Sequence, residues 1–132
     1  MVALAMNGDE ERVIGKAVEI SEGFGSSLIV VHVNDIHAGK MSMMMDSPPK
    51  FTMEDIRQRF IDHGFEETAK MIEIQIIESE SPAKAIGEAA KNIDLLVLGH
   101  RPQSTFKMNF FDSVDEGIIN HVSCPVLVVP KV

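Results

Sequence analysis

The sequence predicts a single α/β domain, residues 1–132, built on a doubly wound, five-stranded, mainly parallel sheet with helices on both faces. Four short apolar runs do not alternate with polar residues, as is typical of strands that are buried on both faces of a sheet. Segments with a helical period separate these runs, in units of roughly 30 residues that favour right-handed crossover connections. The 132 residues suffice for one such domain and are too few for two ordinary ones.

Five strands are predicted, of which the third alternates apolar and polar residues and the other four are largely continuous apolar runs. They are Val2–Met6, Ser27–Val33, Ile72–Ile77, Asp94–Leu98 and Pro125–Val129. Because each pair of successive strands brackets one helical segment, the predicted order of elements is βαβαβαβαβ.

Four helices are predicted from apolar residues that recur every three or four positions. Their apolar faces are Val13, Ile14, Ala17, Val18, Ser21 and Phe24 in the first helix, Met53, Ile56, Phe60 and Gly64 or Phe65 in the second, Ile86, Ala89, Ala90 and Ile93 in the third, and Val114, Ile118 and Val122 in the fourth.

The ends of these helices carry capping residues. The first helix ends near Gly23 or Gly25, and the second begins after Thr52, with acidic residues in its first turn. Ser81 is the predicted N-cap of the third helix, with Pro82 at its first position. The fourth helix begins after Asp112 or Ser113.

Charge and composition exclude several classes of protein. The formal net charge is −8 and no cluster of Lys and Arg reverses it locally, so we expect no nucleic-acid partner and no membrane partner. Residues Met1–Met6 lack a basic flank, and no apolar run approaches the ~18–20 residues of a membrane span. The expected location is therefore cytoplasmic. Cys124 is the only cysteine, and its apolar neighbours favour a buried structural thiol.

Two long connections, Asn34–Phe51 and Gly99–Asp112, follow the carboxyl ends of strands. Long connections inside compact domains are often functional, and open α/β sheets bind ligands at this edge. We therefore expect the functional site there. The run Met41–Met45 lies in the first connection and could cover the core, act as a lid or contact a protein partner.

Neither a metal site nor a catalytic site is predicted. His32, Asp35, His37 and His100 could converge at the sheet edge, but sequence spacing cannot show convergence, and a packing role for His32 is favoured. No motif for nucleophilic, hydrolytic or dinucleotide chemistry is found, so the expected catalytic residues and metal ligands are none. An enzyme such as a slow ATPase stays an alternative without a supporting motif.

Several segments resemble the universal stress protein family. The matching segments are Asp94–Arg101, Asp112–Val114 and Cys124–Pro130, with shorter matches at Val2–Leu4, Val30–Val33 and Ser81–Pro82. The resemblance covers nearly the whole chain. It implies the adenine-nucleotide alpha-hydrolase-like version of the fold, in which the strand order is 3-2-1-4-5.

In the nucleotide-binding members of this family, a phosphate-binding loop reads Gly, two residues, Gly, nine residues, then Gly-Ser or Gly-Thr. Here Gly99 and Ser113 match this pattern, but Pro102 and Asp112 stand where the other two glycines belong. Pro102 lacks a backbone N–H and fixes φ near −65°. The Asp112 carboxylate would face a phosphate, and two unit charges ~4 Å apart interact by about 4 kcal/mol at an effective dielectric constant of ~20. That repulsion would lower the affinity for a phosphate group roughly a thousandfold, unless Mg²⁺ bridges the two groups.

The resemblance also implies contacts elsewhere in the site. Val33 matches the residue that contacts the base, and Arg101 and Val114 lie in the matching loop. Nucleotide-binding members have an Asp at the end of the first strand, whereas this chain has Ala5 there, or Asn7 in a shifted alignment. The candidate cofactor-binding residues are therefore Val33, Gly99, Arg101, Ser113 and Val114.

The predicted function is a non-catalytic, homodimeric stress-response or regulatory module with weak or no ATP binding and no cofactor. The alternative is a module that binds ATP or AMP, with or without Mg²⁺, through a rearranged Gly99–Val114 loop. The resemblance implies a homodimer, and the apolar strand Pro125–Pro130 would supply an edge that a second copy could cover. A further protein partner would be expected to contact the Met41–Met45 run instead.

Overall fold

A computed structural model describes residues 1–39, 49–101 and 113–131, with the backbone alone for residues 113–116. Five strands form one sheet in the order β3-β2-β1-β4-β5, and each pair of neighbouring strands is parallel. The predicted fold class and strand order are confirmed. In the described part of the chain, no helix is both long and apolar enough to cross a membrane.

Four of the strands lie within two residues of the predicted positions, and the first is shorter than predicted. The strands are β1 Val2–Ala3, β2 Ile29–Asn34, β3 Glu73–Glu78, β4 Leu96–His100 and β5 Val126–Pro130. After β1, the Leu4 N–H still donates to the Val31 carbonyl at 3.0 Å, and the backbone then turns at Met6, whose φ is 64°. This turn ends the strand early, although the apolar run continues.

The helices include one that the apolar period does not reveal. They are α1 Glu11–Phe24, α2 Met53–Asp62, α3 Glu66–Met71, α4 Pro82–Ala89 and α5 Ser113–His121. The predicted order βαβαβαβαβ is therefore wrong at one place, since α3 follows α2 directly. Gly64, with a φ of 88°, separates the two helices. The six residues of α3 bury only Thr68 and Ala69, which is too few for a recognisable helical period.

Alternate residues of each central strand face opposite sides of the sheet, so the domain has two apolar clusters. Val2 and Val30 lie in the cluster covered by α1, α2 and α3. Ala3 and Val31 lie in the cluster covered by α4 and α5. Cys124 is half-buried against this second cluster. Helices therefore cover both faces of the sheet, as predicted.

Among the described residues, most of the predicted apolar faces are buried or half-buried, but Phe24 and Met53 are exposed. Ile56 and Phe60 are completely buried. Phe24, however, is 82% exposed, and Met53 is 43% exposed. Both lie at helix ends, Phe24 as the last residue of α1 and Met53 as the first of α2. A helical period identifies a face but does not say how far the covering core extends along it.

Of the three predicted N-caps, Thr52 and Ser81 have described side chains, and these two behave differently. Thr52 forms a capping box with Asp55: the Asp55 N–H donates to Thr52 Oγ1 at 3.3 Å, and the Thr52 N–H donates to Asp55 Oδ2 at 2.8 Å. Ser81 occupies the N-cap position of α4, but its side chain makes no capping hydrogen bond. The Ser81 prediction is thus correct in position, but the capping contact is not formed; the N–H of Ser81 itself donates to Ser79 Oγ at 3.0 Å.

We expect Thr52→Ala to lower the free energy of unfolding by about 1 kcal/mol, because the N–H of Asp55 loses its acceptor. Ser81→Ala is the matched control and should change it by less than about 0.5 kcal/mol. Urea denaturation followed by circular dichroism measures both. Equal losses in the two variants would contradict the assignment of the capping contacts.

Candidate functional site

A cleft of about 310 Å³ opens at the carboxyl edge of the sheet. The sheet order places β1 between β2 and β4, so the direction of the crossovers reverses at β1, which is where open α/β sheets bind ligands. Residues at or just beyond the ends of these three strands line the cleft, among them Leu4, His32 and Leu98. Ile86 of α4 and Ile118 of α5 add apolar surface.

Three of the five candidate cofactor-binding residues line this cleft. They are Val33 at the end of β2, Gly99 in β4 and Arg101 just after β4. Ser113 and Val114 begin α5, and their side chains lie outside the described part of the structure. Pro102, Asp112 and the Met41–Met45 run also lie outside the described residues.

The buried carboxylate of Glu10 holds the turn between β1 and α1. Glu10 is only 2% exposed, and its carboxylate accepts the N–H of Ala5 at 2.8 Å and the N–H of Met6 at 2.7 Å. Met6 needs this support, because a positive φ is strained for a residue with a long side chain. Two backbone N–H groups of this turn, those of Ala5 and Met6, are therefore satisfied within the protein.

A cluster of charges lies beside the turn. Arg101 Nε donates to Asp9 Oδ2 at 3.1 Å, and Arg101 Nη2 contacts the same oxygen. Lys131 Nζ lies 3.3 Å from Asp9 Oδ1 and 3.9 Å from Glu10 Oε2. The Lys131 contact is an ion pair without hydrogen-bond geometry, since Asp9 Oδ1 has no hydrogen-bond partner. The Arg101 hydrogen bond lowers the pKa of Asp9, and Asp9 raises the pKa of Arg101.

Asp9, Glu10 and Lys131 are functional candidates that the sequence patterns do not single out. Glu10 follows Gly8 at the start of a predicted helix, where a carboxylate is ordinary. Lys131 follows the last strand by one residue, where a basic residue is equally ordinary. These three residues lie together because of the sheet order. β4 is the neighbour of both β1 and β5, so the end of β5 lies near the turn that follows β1.

Gly99 is required by packing, whatever the loop after it binds. A Cβ on Gly99 would lie 2.7 Å from Val13 Cγ2 and 2.7 Å from Lys131 Cε. Val13 lies in α1 and is completely buried in the core. The glycine at this position therefore lets α1 and the Lys131 side chain approach β4 closely.

His32 and Asn34 connect the sheet to the end of the first long connection. His32 Nδ1 donates to the Leu4 carbonyl at 2.7 Å, and Nε2 lies 3.0 Å from Asn34 Oδ1. The Asn34 amide bonds both backbone groups of Phe51, accepting its N–H at 3.1 Å and donating to its carbonyl at 2.9 Å. The Phe51 ring packs edge-on against His32, with 5.3 Å between the ring centroids. His32 thus has the packing role that the sequence favours.

No metal site is found among residues 1–39, 49–101 and 113–131. Within these ranges, no group of three or more His, Cys, Asp or Glu residues is arranged so that it could hold a metal ion. The Asp35 carboxylate accepts the backbone N–H of His37 at 2.7 Å, which forms a local turn. Within the described ranges, the candidate site is therefore the cleft and not a metal centre.

Comparison with known proteins gives a family match and several solved structures with the same fold. The family model described as "Universal stress protein family" matches residues 1–130. A crystal structure of a universal stress protein in complex with cAMP has 21% identity and a TM-score of 0.69, covering 99% of this chain and 97% of that one.

Two further structures are from Archaeoglobus fulgidus. A universal stress protein has 22% identity and a TM-score of 0.65, covering 96% of this chain and 94% of that one. A complex with dAMP has 19% identity and a TM-score of 0.56, covering 96% and 93%. No curated protein matches this chain. At these identities, the solved structures establish the fold.

We expect Gly99→Ala to lower the free energy of unfolding by about 1–3 kcal/mol, because the added methyl overlaps Val13 Cγ2 in the core. Gly23→Ala is the control: Gly23 lies in α1 with no atom near its missing Cβ, and this variant should be more stable by about 0.5–1 kcal/mol. Urea denaturation measures both. A neutral Gly99→Ala would show that this glycine is retained for a reason other than packing.

Proposed function

The chain belongs to the universal stress protein family, and from this we propose that it is a non-catalytic stress-response or regulatory module that binds ATP weakly or not at all. In this proposal, the cleft beside β1 is a site for small molecules rather than a catalytic centre. We also propose a cytoplasmic location, on the basis of the composition and the family.

The observation that carries the proposal is the position of the Glu10 carboxylate. A phosphate at the end of the first strand would need free backbone N–H groups. The N–H groups of Ala5 and Met6 already donate to Glu10, which is 2% exposed. Glu10 and Gly99 line the same cleft, and the Asp112 carboxylate predicted from the sequence would repel a polyphosphate on the Gly99–Val114 loop.

The alternative is an adenine nucleotide bound in the same cleft through a rearranged Gly99–Val114 loop. Val33, Gly99 and Arg101 line the cleft, which is consistent with a nucleotide site. Proteins of the same fold have been crystallised in complex with cAMP and with dAMP. Both of these ligands have a single phosphate, so a mononucleotide is a better candidate than ATP.

A homodimer through β5 is part of the proposal. In the described sheet, β5 pairs with β4 on one side only, and Val128 in β5 is 43% exposed. An apolar edge strand is prone to pair with another chain. A two-fold pairing of β5 with β5 of a second copy would cover this edge in both chains.

We expect the wild-type protein to bind Mg²⁺-ATP with a Kd no tighter than about 1 mM, which calorimetry can measure, and to show no ATP turnover. Changing both Pro102→Gly and Asp112→Gly should strengthen binding at least about tenfold, because a donor is restored and a carboxylate is removed. Micromolar affinity or turnover in the wild type would refute the proposal. An unchanged affinity in the double variant would refute the explanation from the loop.

We expect size-exclusion chromatography with light scattering to give a dimer at micromolar concentration. Val128→Lys should shift the protein towards the monomer, because it places a charge on the edge strand. Gln75→Lys introduces the same residue on β3, the other edge strand, and should leave the dimer intact. A monomeric wild type, or equal dissociation in both variants, would rule out pairing through β5.

A further inference from the structure

The cations that line the cleft are already neutralised by carboxylates of the same chain. Arg101 donates to Asp9 through Nε at 3.1 Å and also through Nη2. Lys131 lies 3.3 Å from Asp9 and 3.9 Å from Glu10. Two positive and two negative side chains therefore form a cluster without net charge.

Lys131 is also held in place. Its backbone N–H donates to the His100 carbonyl at 2.8 Å, as an extension of the pairing between β5 and β4. Its side chain crosses the space above Gly99 and is only 10% exposed. Because this side chain is confined between β4 and the carboxylates, it is poorly placed to swing out towards an incoming anion.

The rest of the lining suits an uncharged ligand with an apolar part. Val33, Leu98, Ile86 and Ile118 provide apolar surface, and Asn7 is an exposed polar residue of the lining. The volume of about 310 Å³ lies at the low end of the range for ligand sites, which favours a compact ligand.

We propose that Asp9 determines which ligand the cleft accepts, by neutralising Arg101 and Lys131 so that an uncharged purine nucleoside binds in preference to its phosphorylated forms. A phosphate would compete with Asp9 for Arg101, whose Nε and Nη2 are already engaged, whereas a nucleoside leaves the cluster intact. The inference rests on the proposed function, because it assumes that the cleft is a small-molecule site.

The test is calorimetry with adenosine, AMP and ATP. Wild-type protein should bind adenosine roughly tenfold more tightly than AMP, as expected when one charged contact must be broken. Asp9→Asn should raise the ratio of AMP affinity to adenosine affinity roughly tenfold, because Arg101 becomes available. Arg101→Gln added to Asp9→Asn should remove that gain. Glu19→Gln is the control, since Glu19 pairs with Lys16 on α1 and its loss makes the same change in net charge.

An unchanged ratio in Asp9→Asn, or the same change in Glu19→Gln, would overturn the role of Asp9. A wild-type protein that prefers AMP to adenosine, or binds neither, would overturn the ligand class, and this comparison needs no variant to fold. Tight binding or hydrolysis of ATP by the wild type would refute the proposed function itself. The two proposals can therefore fail separately.

Discussion

The Glu10 carboxylate is the contact on which the arrangement of the cleft depends. It ends the central strand after two paired residues by binding the N–H groups of Ala5 and Met6, and it belongs to the residue that precedes α1. A buried carboxylate requires such donors, because an unpaired charge in the core is strongly unfavourable. The strained φ at Met6 is therefore stabilised by the side chain of the residue that immediately precedes α1.

The same region shows how a fold can keep its shape while its site changes character. Gly99 is needed where α1 crosses β4, and Lys131 lies over it with Asp9 and Glu10 beside it. In this chain the volume beside Gly99 is filled by a side chain of the protein. A glycine that matches a phosphate-loop pattern can thus be retained for packing, so that its presence alone is weak support for nucleotide binding.

The sequence predicts the sheet well because continuous apolar strands and helical periods are local patterns. Local patterns of this kind predict the buried helix faces around Ile56 and Ile86, and they also predict the Thr52 cap. The structure confirms all three. Helix α3 was missed because its six residues bury too little to show a period. Phe24 was placed in the core because a period does not reveal where a core ends.

The site could be located from the sequence only to a sheet edge. The carboxyl ends of parallel strands and the resemblance to a known family point to Val33, Gly99 and Arg101, all of which line the cleft. The charge cluster joins Asp9 to Lys131 across almost the whole chain length, and no local pattern carries that information. Whether these cations are free or paired is thus visible only in three dimensions.

The Asn34 side chain makes two hydrogen bonds to the backbone of Phe51, which lies 17 positions further along the chain. The entropic cost of closing a loop rises only slowly with the length of the loop. Because Asn34 and Phe51 hold the two ends of this connection together, its length has little effect on the stability of the sheet. Relatives could lengthen, shorten or replace the segment between these anchors while β2 and α2 keep their positions. The fold thereby contains a place where new recognition sequences can be inserted by evolution, or grafted by design, without rebuilding the domain.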